Sequence, residues 1–531
     1  MGASVRRMMM CGAVLALAAA MAVGQAQAPS APPSQTATPV ADGKQKTPTA
    51  AGISVVKPEY RMSKQDAKDL MRSADEILNF ASIDTDLPIV RHIKKKIVTR
   101  EEAKRYFDGK MKEDRGVQEI ERSEVVLKKF GMLDHDFHLG PFLLSLLTEQ
   151  VAGYYEPTDK TINMLDWVEP DSQRPVLAHE LTHALQDQHV GLKQWSSMTH
   201  YDVAKNAAED NEHIQTDEAD TAREAVLEGQ AMAVFTDYGL SGQKLSLRTT
   251  PEAAQKVEDA MGDVSDSPVM SRAPLLLQQE LLFPYREGLG FEAALLKAGG
   301  VDTAFTGALD RPPASSYEIL NPEAYLRHEG VPVLRLPDIH PLLDANGYVP
   351  YDVGVMGELD VRILTEVFAG RETADAIAPE WRGGVYYAAE QKTAVTPEQK
   401  SDTRSLGLVY YSQWANEDTA KNFAHVYAGQ LGRKYVGLKE RTAEEQNEEE
   451  KVYSTAEGDV LVQTAGTGVF VSEGFDMAMA RQVEQEIVAA QATGPVQQAG
   501  SVPRGELGFS MVHALIQSGA AESALHSVTQ R

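Results

Sequence analysis

Cysteine is nearly absent: the 531 residues contain one, Cys11, at the start of the N-terminal apolar stretch. A lipoprotein signal places its acylated cysteine behind such a stretch, so that route to a membrane is not indicated. If the N-terminal segment is removed, the mature chain has no disulfide and no thiol nucleophile. Basic charge is also scarce. Against 77 Asp and Glu stand 51 Lys and Arg, a formal net charge of -26. Nucleic acid is a poor partner for such a chain, because phosphate binding needs concentrated Lys and Arg. A glycine-rich phosphate loop and a Gly-x-Ser-x-Gly nucleophile elbow are both missing, which argues against nucleotide chemistry and serine hydrolysis. Long hydrophobic runs are missing too, apart from Met8 to Val23, shorter than the roughly 20 residues that cross a bilayer.

That one run follows Arg6 and Arg7 and precedes the small residues of "GQAQA", the pattern of an export signal over residues 1–28. The expectation is a secreted or periplasmic protein with no stable membrane span after signal removal, an uncleaved anchor being the alternative. Residues 29–57 are rich in Pro, Ala and Thr and too poor in large apolar residues to build a core, so they read as a linker.

The remaining length exceeds what one hydrophobic core usually holds, and 43% hydrophobic with 24% charged residues is a globular composition. Apolar residues at spacings of three and four predict a helix behind Ser63, another behind the Thr99/Glu102 capping box, and a third over "GPFLLSLLTEQV". "VAGYYEPTDKTINML" then reads as strand, turn and strand. A helix follows, with Pro175 suited to its first position. Further helices are expected around 217–238 and 286–299, and "DRPPASSYEILNPEAYL" reads as a Pro-rich loop. Beyond residue 345 short strands such as "GGVYYAAE", "SLGLVYYSQW" and "GVFVSEGF" alternate with helical spacing. These patterns predict an α+β chain: a mainly helical domain over 58–345, a smaller α+β domain over 346–490, and a tail over 491–531.

The stretch "RPVLAHELTHALQDQHV" carries His179-Glu180-Leu181-Thr182-His183. Four residues along a helix place the two histidines about 40° apart, one turn above the other, where both imidazoles can meet one ion. Glu180, rotated by about 100°, would project beside that ion and reach a bound water. Val176, Leu177, Leu181, Ala184 and Leu185 form an apolar opposite face. A polar spot on a solvated helix is the competing interpretation, but it has no need for two aligned histidines.

A catalytic zinc keeps three protein ligands and one water. "DEADTAREAVLEGQAMAVF" offers Glu224 and Glu228 on one predicted helix; Glu228 is preferred because Gly229 and Ala231 would allow close helix approach. Glu224 is then a supporting or solvated group. Asp187 could orient an imidazole or a neighbouring backbone. Tyr285 and His213 are candidate donors to a developing oxyanion, with a packing role as the alternative for Tyr285. Ser315, Ser316 and Glu318 either line a substrate groove or belong to a plain connection. The strand "TINML" could pair with an extended substrate.

"AHELTHALQDQH", preceded by "GYYEPTDKTINML" and followed by "AVLEGQA", resembles the zincin metallopeptidases of the gluzincin type, and a group of secreted bacterial proteins with the same motif order. The similarity covers roughly residues 60–345 and extends to "PYREGLGFEAAL" and "PPASSYEILNPEAY", where this chain has Asn321 at a position often histidine in that group. It implies a zincin-like domain with a small sheet beside the HExxH helix, one catalytic Zn2+ on His179, His183 and Glu228, and Glu180 as general base in peptide-bond hydrolysis. Two other readings remain: an inactive zinc-binding scaffold acting through the C-terminal domain, and a metal-free helical interaction protein.

Overall fold

A computed structural model describes residues 60–111, 114–149, 153–195, 205–265 and 267–495. The expected signal segment and linker, and the tail past residue 495, lie outside the described residues. The chain is an α+β protein with a small mixed sheet and a larger antiparallel one.

The first helix, Lys64–Thr85, starts at Ser63, whose side chain and that of Asp66 cap each other's backbone N–H groups. The Thr99/Glu102 box forms as the pattern predicts, each residue's side chain accepting from the other's backbone N–H, at 2.9 and 3.2 Å. Three strands, β1 (Lys94–Val98), β2 (Gly153–Glu156) and β3 (Thr161–Leu165), make the small sheet in the order β1-β3-β2. β3 pairs parallel with β1 and antiparallel with β2. "TINML" is therefore the central strand with both edges taken, and it cannot add a substrate strand; β1, in "KKKIV", was not legible because its lysines break the alternation.

The motif helix spans Pro170–Val190, starting with Pro170 at its first turn and containing Pro175 inside it, five residues later than the proline that opens the helix. Gln173 ties it to the sheet: its side-chain oxygen accepts from Leu165 N–H at 3.0 Å and its amide donates to the Leu165 and Val168 carbonyls at 2.9 and 2.8 Å. This helix is not amphipathic in practice, since Val176 through Asp187 are all buried. Helix Lys64–Thr85, β2 and the long helix Ala207–Leu240 pack around it. The expected helices near 217–238 and 286–299 are parts of longer ones, Ala207–Leu240 and Leu275–Asp302. "PPASSYEILNPEAYL" is only partly loop, for it contains the short helices Ser316–Leu320 and Pro322–Arg327.

The long helix is the hub, crossing the Leu275–Asp302 helix with two glycines at the contact. A methyl group on Gly229 would sit 2.3 Å from the Gly288 carbonyl oxygen, and one on Gly288 would sit 2.3 Å from the Ala225 carbonyl oxygen. Only hydrogen at both positions lets the two backbones approach this closely.

From Tyr348 onward the chain builds a seven-stranded antiparallel sheet in the order β4-β5-β6-β10-β9-β8-β7. Its strands are β4 (Tyr348–Val355), β5 (Trp381–Gln391), β6 (Leu406–Trp414), β7 (Lys439–Glu440), β8 (Glu450–Thr455), β9 (Gly458–Ala465) and β10 (Gly468–Glu473). The sheet docks on the long helix, where Asp217 accepts from Val355 N–H at 2.6 Å. Buried Lys129, at the end of the helix Asp114–Phe130, reaches the Thr403 carbonyl at 3.2 Å and Glu457 at 3.1 Å. The hydrophobic core runs without a break from the helices into the sheet.

The glycine crossing yields a test. Gly229→Ala puts a methyl group into rigid backbone, so it should destabilise the fold by about 1–3 kcal/mol. Gly429→Ala, in the helix Glu417–Lys434 with nothing within 4 Å of the added carbon, should be neutral or gain up to about 1 kcal/mol in helix propensity. Denaturant melts of both variants check the contrast.

Candidate metal centre

The long helix brings Glu228 over the paired histidines. His179 Nε2 lies 3.0 Å from His183 Nε2 and 3.0 Å from Glu228 Oε2, and His183 Nε2 lies 3.5 Å from the same oxygen. Among the described residues, these three form the one group of His, Cys, Asp or Glu side chains arranged to hold a metal ion. Ligands about 2.0–2.1 Å from a tetrahedral ion stand about 3.3 Å from each other, so the spacing suits a single ion. Two imidazoles and a carboxylate are also a donor set that a divalent transition metal accepts.

The tautomer of His183 supports the fit. Its Nδ1 is 2.8 Å from Gln186 Oε1. The Gln186 amide nitrogen is occupied by the Leu227 carbonyl at 3.0 Å and Gln230 Oε1 at 2.9 Å, so the oxygen must face the ring. Nδ1 then carries the proton, and Nε2 turns its lone pair toward His179 and Glu228. Gln230 is fixed in turn by donating to the Ala304 and Phe305 carbonyls at 2.8 and 3.0 Å, in the π-helical turn Thr303–Gly307. Fully buried Glu292 lies beside Gln230, and burial pushes its carboxyl well above the ordinary range while Gln230 opposes the shift. Neither glutamine stands out in the sequence; the available signal for Gln186 is its place three residues after His183 on the same helix face.

Glu180 is held alongside, its Oε2 accepting from the backbone N–H of Tyr155 in β2 at 2.8 Å. Burial and the nearby Glu228 charge push its carboxyl well up, and the Tyr155 N–H opposes that shift. Tyr285, fully buried, stacks on His179 with ring centroids 6.3 Å apart. Burial raises its hydroxyl first, then the charges of Glu228, Glu224 and Glu180, with a side-chain hydrogen bond to Glu228 adding to the effect. Tyr285 thus braces the carboxylate that completes the cluster. His179, Glu180, His183 and Glu228 are all at most 1% exposed.

Other expected residues take different places. Glu224 is buried one turn before Glu228, outside the three-residue cluster. Asp187 touches neither imidazole: it accepts from Tyr155 OH at 2.8 Å, Lys160 Nζ at 2.5 Å and Leu192 N–H at 3.0 Å, locking sheet, turn and helix end together. Its role is the backbone one, and Gln186 orients the imidazole. His213 is on the same helix as Glu228, but at 1.5 Å per residue it is about 22 Å away along the axis, too far to serve the site. Ser316 donates from N and Oγ to Glu218 at 3.0 and 2.6 Å, and Glu318 accepts from Ala314 N–H at 2.5 Å. Asn321 donates to Glu358 at 2.8 Å. Ser316, Glu318 and Asn321 thus tie neighbouring elements together, while Ser315 lines a small cavity beside Glu218.

These contacts rank the supporting residues. Gln186→Met should weaken metal binding by about 10- to 100-fold, the usual cost of losing an acceptor behind a ligand histidine. Glu228→Gln should weaken it further, while Glu224→Gln and Asp187→Asn should stay within a few-fold of the unaltered chain. Competition against a chromophoric chelator measures all four. No family model, curated protein or solved structure matches the chain, so its functional reading rests on the geometry of this centre.

Proposed function

We propose that the protein is an exported zinc-dependent peptidase of the zincin kind, with the gluzincin ligand order. His179, His183 and Glu228 hold the ion, and Glu180 serves as general base. The observation that carries this reading is the convergence of three ligand atoms from two helices, with a second carboxylate fixed beside them by a backbone N–H. The N-terminal sequence supports export.

When bound, zinc supplies a Lewis acid that polarises a peptide carbonyl and brings the pKa of its water toward about 7. Glu180 takes a proton from water and returns it to the departing amine. Tyr155 N–H anchors the Glu180 carboxylate. Gln186 and Tyr285 hold His183 and Glu228 so that neither ligand turns away.

One observation favours a second reading. The four central side chains are almost completely enclosed, as in a metal site that fastens helices without turnover. Such a protein would be an inactive zinc-binding scaffold acting through its C-terminal sheet.

Metal analysis of the purified full chain, with activity on an unfolded casein substrate, separates these readings. The peptidase reading expects about one zinc per chain and hydrolysis that a chelator stops. Glu180→Gln should keep the zinc and lose at least 100-fold of the rate, in line with general-base contributions of about 10²–10⁴. A zinc-loaded chain that cleaves nothing would establish the scaffold, and a chain purified without chelator yet free of metal would sink both.

A further inference from the structure

Gln173, Glu180 and Asp187 follow one another along the motif helix at intervals of seven residues. Seven residues turn the helix by about 700°, so the three share one face, each about 10 Å from the next along the axis. All three are buried. Each is also bonded to the hairpin of β2 and β3. Gln173 holds β3 through both main-chain groups of Leu165. Glu180, midway, takes the Tyr155 N–H of β2. Asp187 takes the Tyr155 hydroxyl at 2.8 Å, and Lys160 Nζ from the turn between the strands at 2.5 Å.

Tyr155 is thus bonded twice to one helix, at points two turns apart: its backbone meets Glu180 and the far end of its side chain meets Asp187. Burial, and then the Asp187 carboxylate, raise its hydroxyl above the ordinary range, which keeps it a donor. β2 has four residues and forms one edge of its sheet. A strand so short gains little from its ladder, so side-chain bonds decide where it lies against the helix. Lys160 adds to them from a left-handed backbone conformation, φ 61°, that L side chains seldom adopt.

We propose that this hairpin sets the position of Glu180, with Gln173 and Asp187 as positioning residues that act on it from two sides through Leu165 and Tyr155. The inference rests on the peptidase reading, in which Glu180 is the general base. Asp187 spends its side-chain bonds on Tyr155, Lys160 and Leu192, so its loss should lower the rate and leave the ion in place.

Tyr155→Phe, which deletes only the hydroxyl, and Asp187→Ala test this in the full-length, zinc-loaded chain with casein. A group misplaced by about 1 Å can cost about 100-fold, so each variant should lower kcat by about ten-fold or more with KM nearly unchanged. Zinc content should stay the same, as should the visible spectrum after cobalt exchange. The double variant should be no slower than the slower single one, because both break the same path. In the metal-free chain carrying Tyr155→Phe, the amide at position 155 should exchange its hydrogen about ten-fold faster while the β3 amides keep their rates. If Asp187→Ala fails to fold, Tyr155→Phe carries the test alone. The inference is overturned, and the peptidase reading kept, if the unaltered chain cleaves casein and Tyr155→Phe matches it. Faster exchange through β2 and β3 alike also overturns it, as the mark of a merely structural hairpin. An unaltered chain that holds zinc and cleaves nothing removes the peptidase reading and this inference together.

Discussion

The contact on which the molecule depends is the crossing of two long helices at Gly229 and Gly288. Both backbones come within a methyl group's width of each other there. The residue before that contact is Glu228, about 100° round the helix, so the close approach at Gly229 also fixes where its carboxylate lies. Tyr285, three residues before Gly288 on the partner helix, is delivered to the same place and braces Glu228 and His179. A looser crossing would move the third ligand and its brace together.

Burial then sets the chemistry. Two imidazoles and two carboxylates share a space from which water is almost excluded, and the carboxyl of Glu180 is accordingly pushed well up. A divalent cation would offset the cost of enclosing Glu228 as a carboxylate. The amide chain from His183 through Gln186 and Gln230 to the Ala304 and Phe305 carbonyls has the complementary role. Each amide is oriented by the next, so the imidazole is held in one tautomer by groups anchored in a different helix. Both carbonyls lie in the irregular turn Thr303–Gly307, where that of Phe305 also accepts from Ala308 N–H.

Sequence alone made much of this readable. Reciprocal caps at Ser63 and Thr99, the hairpin before the motif helix, and the order of most strands after residue 380 followed from local rules, because caps and alternation are local physics. The pairing of His179 with His183 follows from helical spacing, a short-range property, while the presence of Glu228 rather than Glu224 beside them comes from packing between two helices. Failures arose where neighbours decide. "TINML" has the composition of an edge or a centre, and only the arrival of the lysine-rich β1 makes it central. Asp187 and Gln186 are adjacent on the motif helix, yet their faces diverge, and the one that meets an imidazole is the uncharged one.

What the sequence determined by itself is the pair of imidazoles one turn apart, a carboxylate one residue on, and a candidate third carboxylate beside a glycine, because the helix period carries that information within a few residues. What tertiary structure decided is which carboxylate arrives, which amide orients it all, and how completely water is shut out. Those depend on helix crossings between segments separated by tens of residues, and the closeness of such a crossing is set by packing on both sides at once.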